Sequence, residues 1–409
     1  MGAALEIPEI AGPPVEVAKQ LVPLLTDHDA WIDENRRLPD AVVTALIDSG
    51  LPWMMLPRRV GGAGETMRTQ LEVIAELARG SAGAAWALGL VCSVTAMAAS
   101  LPEEARQLIF RTGREIVCGV TMPIGVARPV DGGYSVSGSW PYASGSQLSD
   151  WGMGGLRVLN DKDELVDIGF AFMPIGDEGL SIRDTWHVAG MRGSGSNNIV
   201  AEALFVPAEL VILKSYRAGG AGELSSEPRD NWPTAGAFPL SVLAPTIGAA
   251  RNMLDRTVAG LGSKAVSMWD YPRQSESQAV LQQVGEAAME IESAWLLVLH
   301  AADILDVEAQ DHFLSTGEAA RLQADCGYAM ALLRRAADRL MDIGGASAFA
   351  SSNPLQRAWR DIALGSRHAA LNSLQSLELL GRSLAGAPLH NPAFRELYPN
   401  TSAAGPAAR

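Results

Sequence analysis

The chain has 409 residues, with 32 lysines and arginines against 46 aspartates and glutamates, which gives a formal net charge of −14. Hydrophobic residues make up 48% of the chain and charged residues 19%, a composition that excludes a disordered protein and provides ample material for a core. The acidic balance also argues against nucleic-acid binding, because affinity for the phosphate backbone depends on clustered lysine and arginine.

The cysteines and histidines give no indication of a metal site. Cys92, Cys118 and Cys326 are scattered, and none of the six histidines forms a His-x-x-x-His pair. An odd and sparse cysteine count is typical of inert thiols in a reducing compartment rather than of a disulfide framework. No signal or transit peptide pattern is visible at the N-terminus, so the sequence predicts a cytoplasmic protein. The spacing of the cysteines and histidines predicts no resident metal.

Helical patterns fill the first part of the chain, and one of them contains no charge. The stretch 80–102 is long enough to span a bilayer, yet it is built of Ala, Gly and Ser and has no flanking basic cluster. Small residues at this density favour a helix packed between other helices. The sequence therefore predicts a buried helix and no membrane span.

The periodicity then changes twice. Short β-type runs at 134–138, 167–172 and 203–206, separated by turn residues, predict an antiparallel sheet. Four long apolar-periodic blocks near 241–262, 276–306, 316–343 and 354–385 predict an up-and-down four-helix bundle. The predicted segments are a helical domain at 1–116, a β-domain at 117–213, a connecting loop at 214–240, a bundle at 241–390 and a tail at 391–409. This order excludes a doubly wound dinucleotide-binding fold.

Three features of the sequence can carry chemistry, and each has an ordinary structural alternative. His368 is a candidate proton carrier, or a satisfied core or interface residue. The run 139–151 alternates hydroxyls and aromatics, as in a ligand loop or a plain β-turn. The run 192–198 can surround an anion with backbone N–H groups and Arg192, or form a plain hairpin loop.

Four motifs in a fixed order give a resemblance over nearly the whole chain. They are C-G-V-T-M-P at 118–123, W-P-Y-A-S-G at 140–145, D-T-W-H-V-A-G-M-R-G-S-G-S at 184–196, and N-P-L-Q-R-A-W-R-D at 353–361 followed by His368. This order resembles the acyl-CoA dehydrogenase superfamily, and within it the two-component flavin-dependent monooxygenases. The resemblance implies a mainly α fold with an inserted β-domain: an N-terminal helical domain, a barrel-like middle β-domain and a C-terminal four-helix bundle, assembled as a homotetramer or homodimer.

Two departures separate this chain from the dehydrogenases of that superfamily. Their common form has a Tyr-Glu-Gly-Thr run whose Glu is the proton-abstracting base, whereas residues 365–369 read G-S-R-H-A and the next Glu is Glu378. Their first flavin loop is followed by a Ser that meets the coenzyme A arm, and here Ile124 to Ala127 lack it. Dehydrogenation of an acyl-CoA is therefore disfavoured.

The resemblance implies a reduced flavin, FADH2 or FMNH2, which reacts with O2 and hydroxylates a substrate through a C4a-hydroperoxyflavin. A separate NAD(P)H-dependent flavin reductase would supply that flavin. The stretch 269–275 breaks the Arg-x-x-Phe-Gly pattern of enzymes with permanently bound FAD, which favours exchangeable flavin. The implied catalytic residues are His368, which manages a proton, and Ser144, whose hydroxyl meets the flavin N5 edge. The implied cofactor-binding residues are Val120, Thr121, Trp140, Tyr142, Ser144, Arg192, Ser194 and Ser196.

The predicted substrate is an aromatic or polycyclic small molecule. Phenol-hydroxylating relatives often carry a His on the helix after a conserved Trp, but the matching stretch after Trp86, residues 90–97, contains no His. An apolar pocket for a larger ring system would take its lining from Trp53, Ser93, Met97, Met122 and Ser146, although Met and Trp clusters are also common in cores. Two other functions stay open at this stage: N-oxygenation of an amine or amino sugar, and a flavin-free binding protein with the same fold.

Overall fold

The structure, a computed structural model, describes residues 7–176, 179–214, 228–232, 234–391 and 394. Five helices precede the sheet: α1 (Pro14–Asn35), α2 (Asp40–Asp48), α3 (Met67–Leu77), α4 (Ala82–Met97) and α5 (Glu103–Ile109). Pro14 occupies the first turn of α1, where its missing N–H has no intrahelical partner to lose. Arg36 ends that helix in the left-handed conformation.

Helix α4 continues into a 3₁₀ turn at Ala98–Ser100 and contains most of the uncharged stretch. Ala82–Ser100 is long and apolar enough to cross a membrane by length and composition. However, 83% of its most apolar window is buried inside the structure, as in the core helix of a soluble protein. The prediction of a buried helix agrees with this burial.

Seven strands form the sheet: β1 (Val117–Val130), β2 (Gly133–Ala143), β3 (Trp151–Leu159), β4 (Leu165–Pro174), β5 (Leu180–Arg183), β6 (Asn197–Pro207) and β7 (Val211–Leu213). Their spatial order is β5-β6-β2-β1-β3-β4-β7. The three predicted β-type runs fall in β2, β4 and β6. Residues 117 and 213 are thus the first and last residues of the sheet.

One strand pair departs from the predicted antiparallel pattern. Strand β1 pairs with β3 in parallel, whereas the other strand pairs are antiparallel. The hairpin partner β2 already occupies one edge of β1, with Val126 opposite Ser137. The chain therefore crosses to the other edge before it forms β3. The β1–β3 register also shifts between Val120 and Gly125, so the residues between them bulge from the ladder.

Five helices follow the sheet: α6 (Thr234–Gly260), α7 (Gln278–Asp306), α8 (Thr316–Gly344), α9 (Pro354–Gly365) and α10 (Ser373–Leu384). Side-chain caps fix several starts. Ser315 and Glu318 form a reciprocal capping box at α8, and Asn353 caps α9 with Pro354 in its first turn. Helices α6, α7 and α8 pack together, with α9 against α6 and α10 against α8.

The predicted fourth bundle helix at 354–385 is wrong as one continuous element. It ends at Gly365 and restarts at Ser373, where the side chain of Asn372 accepts a hydrogen bond from the Leu374 N–H. A competing cap of this kind satisfies the first N–H groups of a new helix and so favours a break. His368 consequently lies in the turn between α9 and α10 rather than on a helix.

Two predicted segments fall largely outside the described residues. Of the connecting loop at 214–240, the structure describes 214, 228–232 and 234–240, and helix α6 already begins at Thr234. Of the tail at 391–409, it describes 391 and 394 only.

The described residues fall into two compact units. The first takes its residues from Met1–Thr66, Gly83–Val188 and Arg192–Glu223, and contains the sheet with α1, α2, α5 and nearly all of α4. The second takes its residues from Met67–Ala82, Ala189–Met191 and Leu224–Arg409, and contains α3 with the five later helices.

Candidate functional site

Four side chains of the first unit form a buried hydrogen-bonded cluster, here called the hydroxyl cluster. The indole N–H of Trp86 donates to Oγ of Ser144 over 3.2 Å. Ser144 Oγ lies 2.7 Å from Ser196 Oγ, which in turn lies 2.7 Å from Ser194 Oγ. All four side chains are buried. The three hydroxyls therefore form a continuous chain that starts at a donor of fixed polarity, because an indole nitrogen cannot accept.

Two chain reversals bring these serines together. Gly145 has φ +74° and Gly195 φ +53°, the left-handed region that glycine adopts without steric cost. Between the two loops, the Gly145 N–H donates to the Ser194 carbonyl over 2.8 Å, and Ser146 Oγ donates to the Gly195 carbonyl over 2.9 Å. Ser146 is thus a buried structural link between the loops.

Trp140 lies in the sheet core rather than at a surface. None of its side chain is exposed, and its Nε1–H donates to the Gly155 carbonyl over 2.8 Å. A Cβ on Gly125, Gly138 or Gly154 would lie 2.2, 2.8 or 2.6 Å from the ring, so the glycines make room for it. Trp140 has no surface to offer a flavin in this arrangement and is left out of the cofactor site proposed below.

Among the predicted flavin-binding residues, Tyr142 and the residues of the β1 bulge have exposed surface. Tyr142 is 67% exposed, has φ +67°, and meets Trp186 edge-on with ring centroids 6.0 Å apart. Val120 and Thr121 are half-buried where β1 leaves the β3 ladder. The bulge fits because Gly155 faces it without a side chain: a Cβ there would lie 2.3 Å from the Met122 carbonyl oxygen.

Arg192 is committed to the end of helix α1. Its Nε donates to the carbonyl of Asp33, and its terminal nitrogens donate to the carbonyls of Glu34 and Val188, both over 3.3 Å. The Asp33 carboxylate lies 3.7 Å from Nε. A cation near the C-terminal carbonyls of a helix stabilises that helix end. The structure thus gives Arg192 this structural place rather than the predicted one beside a cofactor anion.

His368 belongs to the second unit, within the turn between α9 and α10. Its Nδ1 accepts a hydrogen bond from the Ala370 N–H over 3.2 Å, and its ring lies 5.6 Å from the Phe238 ring. Burial lowers the pKa of His368 to about 4. Because Nδ1 accepts and the ring is neutral near pH 7, the single ring proton resides on Nε2. His368 thus presents a neutral N–H donor.

The five predicted pocket residues do not share one environment. Trp53 is buried and donates its indole N–H to the Glu115 carbonyl over 3.0 Å, which places it in the core. Ser93 and Met97 lie one turn apart on α4 and are half-buried, whereas most residues of that helix are buried. Met122 is 60% exposed on the β1 bulge. Ser93, Met97 and Met122 remain available for a substrate surface.

Two residues that form hydrogen bonds with the predicted motifs, Trp86 and Asp361, were not among the site residues predicted from the sequence. Trp86 is the only tryptophan in the uncharged stretch 80–102, and a large aromatic in a helix of small residues is a signal that could have identified it. Asp361, in the second unit, accepts a hydrogen bond from the Met191 N–H. Next to it, a Cβ on Gly190 would lie 2.2 Å from the Arg360 carbonyl oxygen, which explains a glycine at that position.

The described part of the chain contains no cluster of metal ligands, and its Cys118 thiol is not reactive. None of its residues form a group of three or more His, Cys, Asp or Glu that could hold an ion. Burial raises the pKa of the Cys118 thiol to about 12, so this thiol is not a nucleophile near neutral pH.

The proton count of the hydroxyl cluster provides a test of whether a flavin fits. Three hydroxyls carry three protons, and the two oxygen–oxygen contacts use two of them. One O–H is left, and among the described residues no further acceptor is hydrogen-bonded to Ser144, Ser194 or Ser196. The polar edge of a flavin ring offers carbonyl oxygens and ring nitrogens. The hydroxyl cluster, with the exposed Tyr142 ring beside it in sequence, fits such a group.

Comparison with protein families gives two matches. The model described as "Acyl-CoA dehydrogenase, N-terminal domain" matches residues 16–107, and that described as "Acyl-CoA dehydrogenase, C-terminal domain" matches residues 240–373. Together with the observed order of helices, sheet and helices, these matches confirm the predicted fold class.

Individual relatives extend the similarity to nearly the full chain. The oxygenase subunit HsaA of a flavin-dependent monooxygenase from Mycobacterium tuberculosis is 28% identical over 374 residues, which cover 90% of this chain and 94% of HsaA. The oxygenase component of an FADH2-dependent resorcinol hydroxylase from Rhizobium sp. is 28% identical, with 87% and 89% covered. The structure of XiaF from Streptomyces sp., solved with FADH2 and glycerol, is 30% identical with a TM-score of 0.87, and 93% and 96% of the two chains are covered.

Proposed function

The chain belongs to the acyl-CoA dehydrogenase superfamily and, within it, to the oxygenase components of two-component flavin-dependent monooxygenases, and from that premise we propose that it hydroxylates an aromatic or polycyclic small molecule with reduced flavin and O2. The observation that carries this proposal is the extent of the similarity. Relatives named as oxygenase components align with 87–90% of the chain, so the sheet and the bundle are both included.

The alternative of an acyl-CoA dehydrogenase lacks its base. Residues 362–377 contain no Asp or Glu, although the proton-abstracting Glu of the common dehydrogenases falls in this region. The nearest preceding carboxylate, Asp361, is buried and accepts a hydrogen bond from the Met191 N–H. A carboxylate held in this way serves the fold and is not available to remove a substrate proton.

When bound, the reduced flavin supplies the electrons that activate O2. We propose that the chain holds it through the Ser144 hydroxyl at the flavin N5 edge, with Ser194 and Ser196 behind Ser144. Val120 and Thr121 would meet the pyrimidine side of the ring, and Tyr142 would cover one face. Burial of the hydroxyl cluster keeps bulk water from competing for these hydrogen bonds, a condition that coupled oxygen chemistry requires.

We propose His368 as the second catalytic residue, with the role of a hydrogen-bond donor. Its Nδ1 already accepts the Ala370 N–H, so a base at that nitrogen would have to displace a backbone hydrogen bond. The Nε2–H can donate a hydrogen bond to an oxygen atom of the reacting partners, and a neutral imidazole does so without placing a charge in the site. A His368→Gln variant, whose amide N–H lies near the position of Nε2, should retain more activity than His368→Ala.

The substrate surface that we propose consists of Ser93, Met97 and Met122. Two of these are flexible thioethers, which adapt to flat ring systems, and Ser93 adds a hydroxyl. The Ser93 hydroxyl donates to the Gly89 carbonyl over 3.0 Å. No observation favours an amine or an amino sugar, so N-oxygenation is not proposed.

Like other oxygenase components, the chain depends on a separate reductase for its flavin and acts on a small molecule. We propose that this reductase uses NAD(P)H and that flavin exchanges freely between the two proteins. We also propose a cytoplasmic location, because all three cysteines are buried thiols rather than disulfides. Fractionation of cells that express the chain would test that location.

We propose that the chain assembles as a homotetramer or homodimer. Leu281, Met289 and Leu296 lie on helix α7 at intervals of two helical turns and are each about half exposed or more. A repeated apolar stripe of this kind is typical of a surface that another protein covers. Light scattering of the purified protein should give a dimeric or tetrameric mass, and a monomer would contradict this proposal.

The function is tested with chemically reduced FMN or FAD, O2 and a panel of phenols, indoles, polycyclic aromatics and amines. We expect a hydroxylated product from an aromatic member, and Ser144→Ala should divert most of the flavin to hydrogen peroxide instead. Ser181→Ala, which removes an exposed hydroxyl from β5 in the same unit, serves as the matched control and should behave as wild type. Reoxidation of flavin without product from any compound would refute the proposal, and turnover of amines alone would shift it to N-oxygenation.

A further inference from the structure

The polarity of the hydroxyl cluster is not fixed by its geometry. In each of the two 2.7 Å contacts, either oxygen can be the donor. If Ser194 donates to Ser196 and Ser196 to Ser144, the remaining proton is on Ser144. If both bonds reverse, Ser144 donates to Ser196, Ser196 donates to Ser194, and the remaining proton is on Ser194. Trp86 donates to Ser144 in both arrangements, so only hydroxyl rotations separate them.

Each arrangement gives Ser144 a different capacity. In the first, its two acceptor sites are filled by Trp86 and Ser196, so Ser144 can only donate outward. In the second, its proton is used on Ser196, which frees one acceptor site for an outside donor. The nitrogen N5 of an oxidised flavin is a bare acceptor, whereas N5 of a reduced flavin carries a proton and donates. The two polarities thus match the two redox states of the flavin.

The reversed arrangement requires an outlet for the Ser194 proton, and the structure provides one. Ser194 lines a small open depression together with Leu38, Gln147 and Leu148. The depression has room for a water molecule, which can accept the proton of the otherwise buried hydroxyl. Ser194, although buried, thus adjoins this depression at the end of the hydroxyl chain.

We propose that Ser196 is a positioning residue that lets the Ser144 hydroxyl accept from N5 of reduced flavin, and that the Ser144–Ser196–Ser194 chain reverses its polarity with the redox state. This inference rests on the proposed function, since it takes Ser144 to lie at the flavin N5 edge. In this arrangement Ser196 accepts the hydrogen bond of Ser144 and Ser194 that of Ser196. A single hydroxyl at the flavin would have no such partner for its proton. Without Ser196, Ser144 would keep an unpaired proton whenever it accepts from reduced flavin.

The test is the affinity of Ser196→Ala for FMN in each redox state, measured anaerobically by titration with oxidised FMN and with dithionite-reduced FMN. The affinity for reduced FMN should fall about 3- to 10-fold, the range for one buried hydrogen bond, while that for oxidised FMN changes less than about 2-fold. A tenfold change in this ratio lowers the two-electron potential of bound FMN by about 30 mV, which a redox titration checks independently.

Two variants make the result specific. Ser196→Thr keeps the hydroxyl and should restore the ratio of the two affinities, while Ser181→Ala should change neither affinity. Thermal unfolding of each variant shows whether the fold is retained, and if Ser196→Thr does not fold, the ratio for Ser196→Ala still decides the question.

The outcomes separate this inference from the proposed function. Equal losses for both redox states in Ser196→Ala, or no loss in either, would overturn the polarity reversal while hydroxylation by the wild type still supports the function. A wild type that binds reduced FMN but hydroxylates nothing would overturn the function and leave the ratio measurable. A wild type that binds FMN in neither state would overturn both.

Discussion

The hydroxyl cluster and the His368 turn both hold polar side chains in place, the first through contacts between distant residues and the second through a contact between near neighbours. The cluster joins Ser144 to residues 58 positions earlier and 52 positions later, whereas the Nδ1 contact of His368 is with a residue two positions away. In the cluster, geometry depends on a sheet that aligns two distant loops. In the turn, it depends on local caps. Polar groups placed by the whole sheet are sensitive to remote substitutions, and those placed by local caps are sensitive only to their neighbours.

We expect the largest loss of stability from a substitution in the core of the sheet, which aligns the two distant loops of the hydroxyl cluster. Trp140→Ala removes a fully buried ring from a site lined by glycines, which have no side chains that could fill the space. Replacement of a buried aromatic by Ala costs about 3–5 kcal/mol. Chemical denaturation should show a loss of this size in the free energy of unfolding. Tyr142→Ala, two residues later and 67% exposed, is the control and should cost less than about 1 kcal/mol. Similar losses for both would contradict the contrast.

The next effect tests the tie between helix α1 and the loop that carries Ser194. Arg192→Ala leaves the carbonyls of Asp33 and Glu34 without their guanidinium donor. Hydrogen bonds from a charged group contribute about 1.5–3 kcal/mol, and we expect a loss of unfolding free energy in that range. Arg183→Ala removes an exposed ion pair with Glu202 and should cost at most about 1 kcal/mol. If flavin affinity fell while stability stayed constant, Arg192 would have the cofactor role predicted from the sequence.

The same contrast explains how far the sequence could be interpreted. The sheet bounds, the approximate starts of helices α7 and α8 and the buried nature of 80–102 follow from local patterns. Trp140 and Tyr142 do not. A regular strand places residues two apart on one face, but the positive φ of Tyr142 and a register shift between Trp140 and Ala143 turn Tyr142 outward.

Local signals were also present at His368 and were outweighed by periodicity. Gly365 and Asn372 are typical of a helix end and a helix start, yet the apolar pattern of 354–385 continues through them and predicts a single helix. The hydroxyl cluster offers no comparable signal, because the contacts of Ser144 with Trp86 and Ser196 span more than 50 residues and depend on two glycines in the left-handed region. Only the family resemblance placed Ser144, Ser194 and Ser196 in one group.

We expect a smaller loss of stability from removal of the local cap at His368. His368→Ala removes the side chain that accepts the Ala370 N–H, and loss of a cap costs about 1 kcal/mol. His368→Asn keeps an oxygen acceptor near the position of Nδ1 and should recover most of that stability. Denaturation of both variants against wild type checks the difference. Equal losses would show that ring packing against Phe238, rather than the cap, stabilises the turn.

The last effect is the dependence of this local contribution on pH. The pKa of His368 is lowered by burial from 6.5 to about 4, so between these values the unfolded chain binds a proton that the folded chain resists. The contribution to stability is therefore complete above about pH 6.5 and is lost as the pH falls towards 4. His368→Asn retains the cap but does not titrate, so the wild type should lose more stability than this variant between pH 7 and pH 5. Thermal unfolding of both proteins in the same buffers measures the difference in Tm at each pH. Parallel curves would show that the folded turn accepts the proton as readily as the unfolded chain, and the neutral N–H donor assigned to His368 would then have to be abandoned.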